Sequence, residues 1–218
     1  MAGAGGRAGR PDEPVAAAGA AAPSFRPDDQ DDLAPSGARE RFNANVAALR
    51  LWKQLSVEQR PADPHHQQVL ARWGGCGATG VAQVFDETKP EHAQDRAVLR
   101  GLLTAVEYDA ARRTVLNAHY TNPDVVRQVW STLEALGFTQ GAVLEPGCGA
   151  GTFIGFAPSG AELTGVELDP ATAGTAALLY PQATIRAERF AETRFPAGHF
   201  DAAVGNVPFA DVVLRDPR

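Results

Sequence analysis

Lysine is almost missing from these 218 residues: Lys53 and Lys89 stand alone, and every other basic side chain is arginine. With so much alanine beside it, this bias reflects gene composition and excludes no activity. Cysteine is scarcer in effect. The two present, Cys76 and Cys148, form no CxxC or CxxH pair, which excludes a disulfide scaffold and a zinc ribbon and predicts a reducing cytoplasm. No apolar run approaches the roughly 20 residues that cross a bilayer. Positive charge is in deficit, with a net charge of −6, which argues against nonspecific coating of nucleic acid. The deficit is uneven: residues 1–40, 41–116 and 117–218 carry −3, +2 and −5. Only the middle segment leans basic, so any phosphate contact made by this chain belongs there.

What is present falls into three textures. Residues 1–38 are Ala, Gly, Pro and Asp with few large apolar side chains, and are expected to be a disordered tail. The alanine-rich run from Val15 to Ala22 follows Asp12 and Glu13 and contains a glycine, so it is not expected to be an export signal. Residues 39–116 read as helical. Phe42, Val46, Leu49, Trp52 and Leu55 recur at spacings of three and four, one face of a helix ending near Pro61. The adjacent His65 and His66 precede a short helix and do not converge as a metal pair. Trp73-Gly74-Gly75-Cys76-Gly77 lacks a following GK[ST], so it is no Walker phosphate loop; it reads as a flexible turn with a buried Trp anchor. Thr104-Ala105-Val106-Glu107 is a capping box opening a further helix.

From residue 117 the texture becomes alternating. A helix capped by Asn122-Pro123, with Val126, Val129, Leu133 and Leu136 as its expected buried stripe, leads into four short apolar strands at Ala142–Leu144, Leu163–Val166, Ala183–Ile185 and Ala202–Val204. Helices fit after Gly151 and from Pro170 to Tyr180. The implied fold is α/β, a parallel sheet with its ligand site at the carboxyl ends of the strands.

Three motifs fall at those ends. The first strand runs into Glu145-Pro146-Gly147-Cys148-Gly149-Ala150-Gly151-Thr152, where alternate glycines let the backbone approach a ligand; the spacing is GxGxG and not the dinucleotide GxGxxG. The second strand ends in Glu167, placed to accept hydrogen bonds from two ribose hydroxyls, with Asp169-Pro170 reading as a helix cap. The fourth ends in Asn206-Val207-Pro208-Phe209. The Asn206 oxygen and the Val207 carbonyl suit the two N–H bonds of a planar amine, and Phe209 suits its ring.

Together these motifs resemble class I S-adenosylmethionine-dependent methyltransferases, specifically the N6-adenine DNA methyltransferases. Leu144–Gly151 looks like their cofactor loop, Gly165–Asp169 like their ribose-binding acidic segment, Asn206–Phe209 like their Asn-Pro-Pro-aromatic tetrad, and Ala118–Pro123 like the motif that closes over the methionine. Trp73-Gly74-Gly75, Glu107-Tyr108 and Leu116–Thr121 also look like the amino-terminal part of phage and mobile-element methylase–helicase fusions. The resemblance implies S-adenosyl-L-methionine as cofactor, DNA with a flipped adenine as partner, no metal and no membrane. It assigns Asn206, Val207, Pro208 and Phe209 to catalysis. Tyr120, Thr121, Glu145, Gly147, Gly149, Gly151, Glu167, Leu168 and Glu188 are assigned to the cofactor. Arg189 competes with Glu188, and packing at a helix start competes for Tyr120.

Val207 stands where the family has its first proline, which keeps the carbonyl and loosens the turn. The family's Rossmann-like sheet also continues beyond four strands. The sequence is therefore expected to be the front part of a longer protein: residues 1–38 a tail, 39–116 a helical region, and 117–218 an incomplete cofactor-binding domain. Methylation of a glutamine side-chain amide, which uses a similar tetrad, and an inactive cofactor-binding or interaction fragment are the alternatives. A nicotinamide-dependent oxidoreductase is more distant, because it gives Asn206–Phe209 no task.

Overall fold

In the computed structural model, residues 23–28, 33, 35–115 and 121–206 are described. The helical part opens with α1 (Ala38–Glu58), which buries Phe42, Val46, Leu49, Trp52 and Leu55 as its spacing predicts and stops at the left-handed Gln59. In α2 (Pro64–Ala71), Asp63 caps the helix and accepts from the His66 N–H, while His66 Nδ1 accepts from the Asp63 N–H. The histidines thus lie inside the helix, and His66 completes its capping box. Helices α3 (Ala93–Leu102) and α4 (Ala105–Thr114) follow. The α4 capping box between Thr104 and Glu107 is formed, and Glu107 also meets Lys53 Nζ at 2.6 Å. Among the described residues no helix is long and apolar enough to cross a membrane, and no cluster of His, Cys, Asp and Glu could hold a metal.

Helix α5 (Pro123–Ala135) is capped by Asn122 and leads into β1 (Gly141–Pro146), the single turn α6 (Thr152–Gly155), β2 (Ala161–Glu167), α7 (Pro170–Leu179), β3 (Thr184–Ala187) and β4 (Ala202–Ala203). All pairings are parallel and the order is β3-β2-β1-β4, with Leu144 opposite Thr164 on one side and Ala203 on the other. This is a Rossmann-like α/β arrangement in which the order reverses at β1, and sheets of this kind receive ligands at the crevice such a reversal opens, here between β1 and β4.

The α5 stripe differs from expectation. Val126 and Trp130 are buried, whereas Val129 is partly exposed and Leu136 lies 81% exposed past the end of the helix. The Trp130 indole donates to the Phe153 carbonyl at 2.9 Å, and that bond turns the helix so that Trp130 faces the sheet in place of Val129. Helix α7 is built of small residues and is buried on nearly all sides between β3 and helices α1, α2 and α4. A Cβ on Gly174 would overlap the Trp52 indole. The helical part and the sheet consequently share one apolar cluster, which joins Leu49, Leu70 and Trp73 to Ile154, Ala171 and Leu179.

The tail expectation also needs correction. Phe25 is buried, its N–H donates to the Leu179 carbonyl at 2.8 Å, Gln67 donates to the Pro23 carbonyl at 2.6 Å, and Arg26 reaches the Ala157 carbonyl at 2.7 Å. Composition averaged over 38 residues hid one aromatic anchor. Residues 1–22, 29–32 and 34 lie outside the described residues.

Candidate functional site

A cavity of about 270 Å³ opens at the carboxyl ends of β1, β2 and β4. Its floor is the turn after β1. Gly147 and Gly149 have φ of 68° and 55°, conformations in the left-handed region, and nothing lies within 4 Å of where a Cβ on either would stand. Both line the cavity, so the backbone is bare toward its interior. Gly151 differs. A Cβ there would fall 2.6 Å from the Tyr180 ring, and the residue is absent from the cavity wall. Gly151 packs against Tyr180 at the start of α6 and stands off the cavity wall.

Two carboxylates face this floor from adjacent strands. Glu167 accepts from the Gly149 N–H at 2.9 Å and from the Asp169 N–H at 2.8 Å, one bond to each oxygen. Burial raises its carboxyl above the ordinary range, and these two N–H bonds pull it partly back. Glu145 is 3% exposed, and its Oε2 has no hydrogen-bond partner among the described residues. Burial, then the neighbouring charge of Glu167, push this carboxyl well up, while the Phe153 N–H opposes them. A buried oxygen without a partner beside a bare glycine turn fits a ligand that brings its own donor or positive charge. Asp169 is the α7 cap, as its sequence context predicts, and accepts from the Thr172 hydroxyl at 2.6 Å.

The remaining expected residues are distributed around the rim. Leu168 is 44% exposed and lines the cavity. Glu188 also lines it, held by Arg186 Nε at 2.6 Å and by the Thr193 hydroxyl at 3.0 Å, whereas Arg189 points to Glu192 and stays off the wall. Thr121, ahead of α5, and Asn206, beyond β4, meet across 3.3 Å through Asn206 Nδ2 and Thr121 Oγ1. Tyr120, Val207, Pro208 and Phe209 lie outside the described residues.

Residues from the helical part complete the wall. Trp73, Gly74, Gly75 and Cys76 line the cavity, as does Arg113. The glycine-rich segment is a pinned loop and not a flexible turn: Asn45 of α1, itself buried, accepts from the Gly74 N–H and donates to the Gly75 carbonyl, both at 2.9 Å. The signal lay in α1, where Asn45 interrupts the buried face beside Ala44 and Val46 and needs polar partners. Burial pushes both the Cys76 and Cys148 thiols up, away from the thiolate form.

No family model matches the sequence, and no curated protein matches it. Solved structures similar to the chain are all described as methyltransferases in the three cases that follow. A magnesium protoporphyrin IX methyltransferase from Synechocystis PCC 6803 with bound SAM is 21% identical, with a TM-score of 0.33 over 50% of this chain and 60% of that one. A putative class I S-adenosylmethionine-dependent methyltransferase from Listeria monocytogenes is 15% identical, with a TM-score of 0.37 over 78% and 58%. A type I restriction-modification methyltransferase subunit from Streptococcus thermophilus is 13% identical, with a TM-score of 0.36 over 79% and 57%. The chain spans less than two thirds of the length of each.

Proposed function

We propose that this chain binds S-adenosyl-L-methionine in the cavity and serves the methylation of the N6 amine of a flipped adenine in DNA. One juxtaposition supports this function above the rest: Asn206, from the far side of β1, shares a single cavity with the bare glycine turn and Glu167, and is tied to Thr121 at its rim. Gly147 and Gly149 would receive the cofactor's methionine part, Glu167 its ribose, Leu168 and Glu188 its base, and Glu145 a cationic group. When bound, the cofactor supplies a methyl group on a positively charged sulfur.

The acceptor side follows from the resemblance and from Asn206. An aromatic amine is a poor nucleophile because its lone pair is delocalised into the ring. The Asn206 side-chain oxygen, with the Val207 carbonyl, would accept the two N–H bonds and stabilise the positive charge that develops on nitrogen. The bond to Thr121 engages the Asn206 amide nitrogen, so the side chain's other polar atom is an acceptor, the type an amine requires. Phe209 would stack on the extruded base and offset part of its unstacking cost of a few kcal/mol.

The test is calorimetric titration with S-adenosylmethionine, followed by labelled methyl transfer to DNA with N6-methyladenine identified by mass spectrometry. Cofactor binding lost in Glu167→Ala, together with N6-methyladenine, is the expected result. Label recovered on a glutamine side chain replaces the substrate, and absence of cofactor binding by folded protein removes the function.

A further inference from the structure

Glu167 does not hold its position alone, and the groups that fix it lead out of the sheet into the helical part. Its Oε1 accepts from the Asp169 N–H at 2.8 Å. The Asp169 side chain is held by the Thr172 hydroxyl, whose Oγ1 donates to Oδ2 at 2.6 Å. That same Oγ1 accepts from the indole N–H of Trp73 at 3.0 Å. Trp73 is 1% exposed, Asp169 1% and Thr172 9%, so water competes with none of these bonds. A hydroxyl has one proton; with the indole occupying a lone pair, that proton is committed to Asp169. The loop carrying Trp73 is in turn fixed to α1 by both polar atoms of Asn45.

We propose that Trp73 is a positioning residue for the sugar-binding carboxylate: through Thr172 and Asp169 it orients Glu167, so that a loop of the helical part sets how well the cavity recognises a ribose diol. This rests on the cofactor site proposed above. A diol needs both carboxylate oxygens in one plane, and a carboxylate free to rotate serves only one hydroxyl at a time. The Gly149 N–H alone leaves that rotation open; the Asp169 N–H on the second oxygen closes it. Trp73, Thr172, Asp169 and Glu167 all line the same cavity, so the relay runs along its wall.

The experiment compares dissociation constants for S-adenosylhomocysteine and for its 2′,3′-dideoxy counterpart, which keeps the base and amino acid and lacks the diol. Thr172→Val, close to parent in shape, is expected to weaken S-adenosylhomocysteine by about fivefold, the scale of one buried hydrogen bond, and to leave the dideoxy ligand unchanged. Thr172→Ser, which keeps the hydroxyl, restores the parent ratio between the two ligands. Trp73→Phe gives the same selective loss, and combining it with Thr172→Val adds nothing further. Equal weakening of both ligands, or additive losses in the double variant, overturns the relay and assigns Trp73 to packing alone. If Trp73→Phe does not fold, the two Thr172 variants decide. Parent protein that binds neither ligand removes the cofactor site and the relay with it, a result distinct from parent protein that binds both.

Discussion

The helical residues 38–115 and the sheet residues 121–206 meet at one cavity and contribute to it in different kinds. The sheet part offers backbone and acid: a glycine turn with open space above it, two carboxylates, and an amide from beyond β4. The helical part offers packing: Trp52 fills the notch at Gly174, Trp73 holds Thr172, and α7 lies between the two parts with almost no surface left. Groups that touch a ligand can be recognised by type and spacing. Groups that hold them still are ordinary core residues.

Substitutions can separate holding from chemistry. The largest stability effect is expected at the amino-terminal strap. Phe25→Ala removes a buried ring and should cost about 3 kcal/mol, seen as a lower denaturation midpoint. Full retention of stability would return residues 23–28 to the role of a loose tail. Next, Asn206→Ala should lower methyl transfer about 10²-fold while the midpoint and cofactor affinity stay put, because Asn206 is exposed and bonded only at the cavity rim. A comparable loss of stability would make Asn206 a structural residue. Gly174→Ala should cost about 2 kcal/mol through overlap with the Trp52 indole. Gly149→Ala meets no neighbouring atom and carries only its left-handed strain, about 1 kcal/mol, so its effect should appear in ligand affinity.

The smallest effect concerns pH. Burial holds the folded Glu145 carboxyl well above the ordinary value of 4.5, so the folded state binds this proton more tightly than the unfolded chain. Stability from this group is greatest below the unfolded value and falls as pH rises toward and through the folded one. Glu145→Gln should remove that decline. Midpoints of parent and variant at pH 5 and pH 8 give the difference; Asp169, also raised, is present in both, whereas Glu167 is coupled to Glu145, so the difference reports the pair. An equal decline in the two proteins would assign the slope to those other acids.

Much of this architecture was legible beforehand, for physical reasons. The stripe of α1, the Thr104–Glu107 and Asn122-Pro123 caps and the four strands follow from short-range rules of spacing and hydrogen bonding, and each formed. Thr121, Leu168 and Glu188 are assigned by the resemblance, and all three stand on the cavity wall. What was not legible depended on distant partners. Whether Gly151 faces a ligand or a ring is decided by Tyr180, 29 residues on. Val129 lost its place on the core face to Trp130 because of a carbonyl at Phe153. The Trp73 loop reads as a turn in the sequence because its fixing group, Asn45, lies on another helix.

The register of β4 bears on the order in time. β1 and β2 are joined by a short crossover, but β4 returns to β1 from far along the chain: the Ala142 N–H meets Asp201 across 59 residues, and Val143 stands opposite Ala202. Closing that longer loop costs more entropy and comes after the local pairings that reward it. The glycine turn and Glu167 are thus assembled while Asn206 is still elsewhere. A nascent or partly refolded chain would hold the glycine turn and Glu167 before it holds the Asn206 amide.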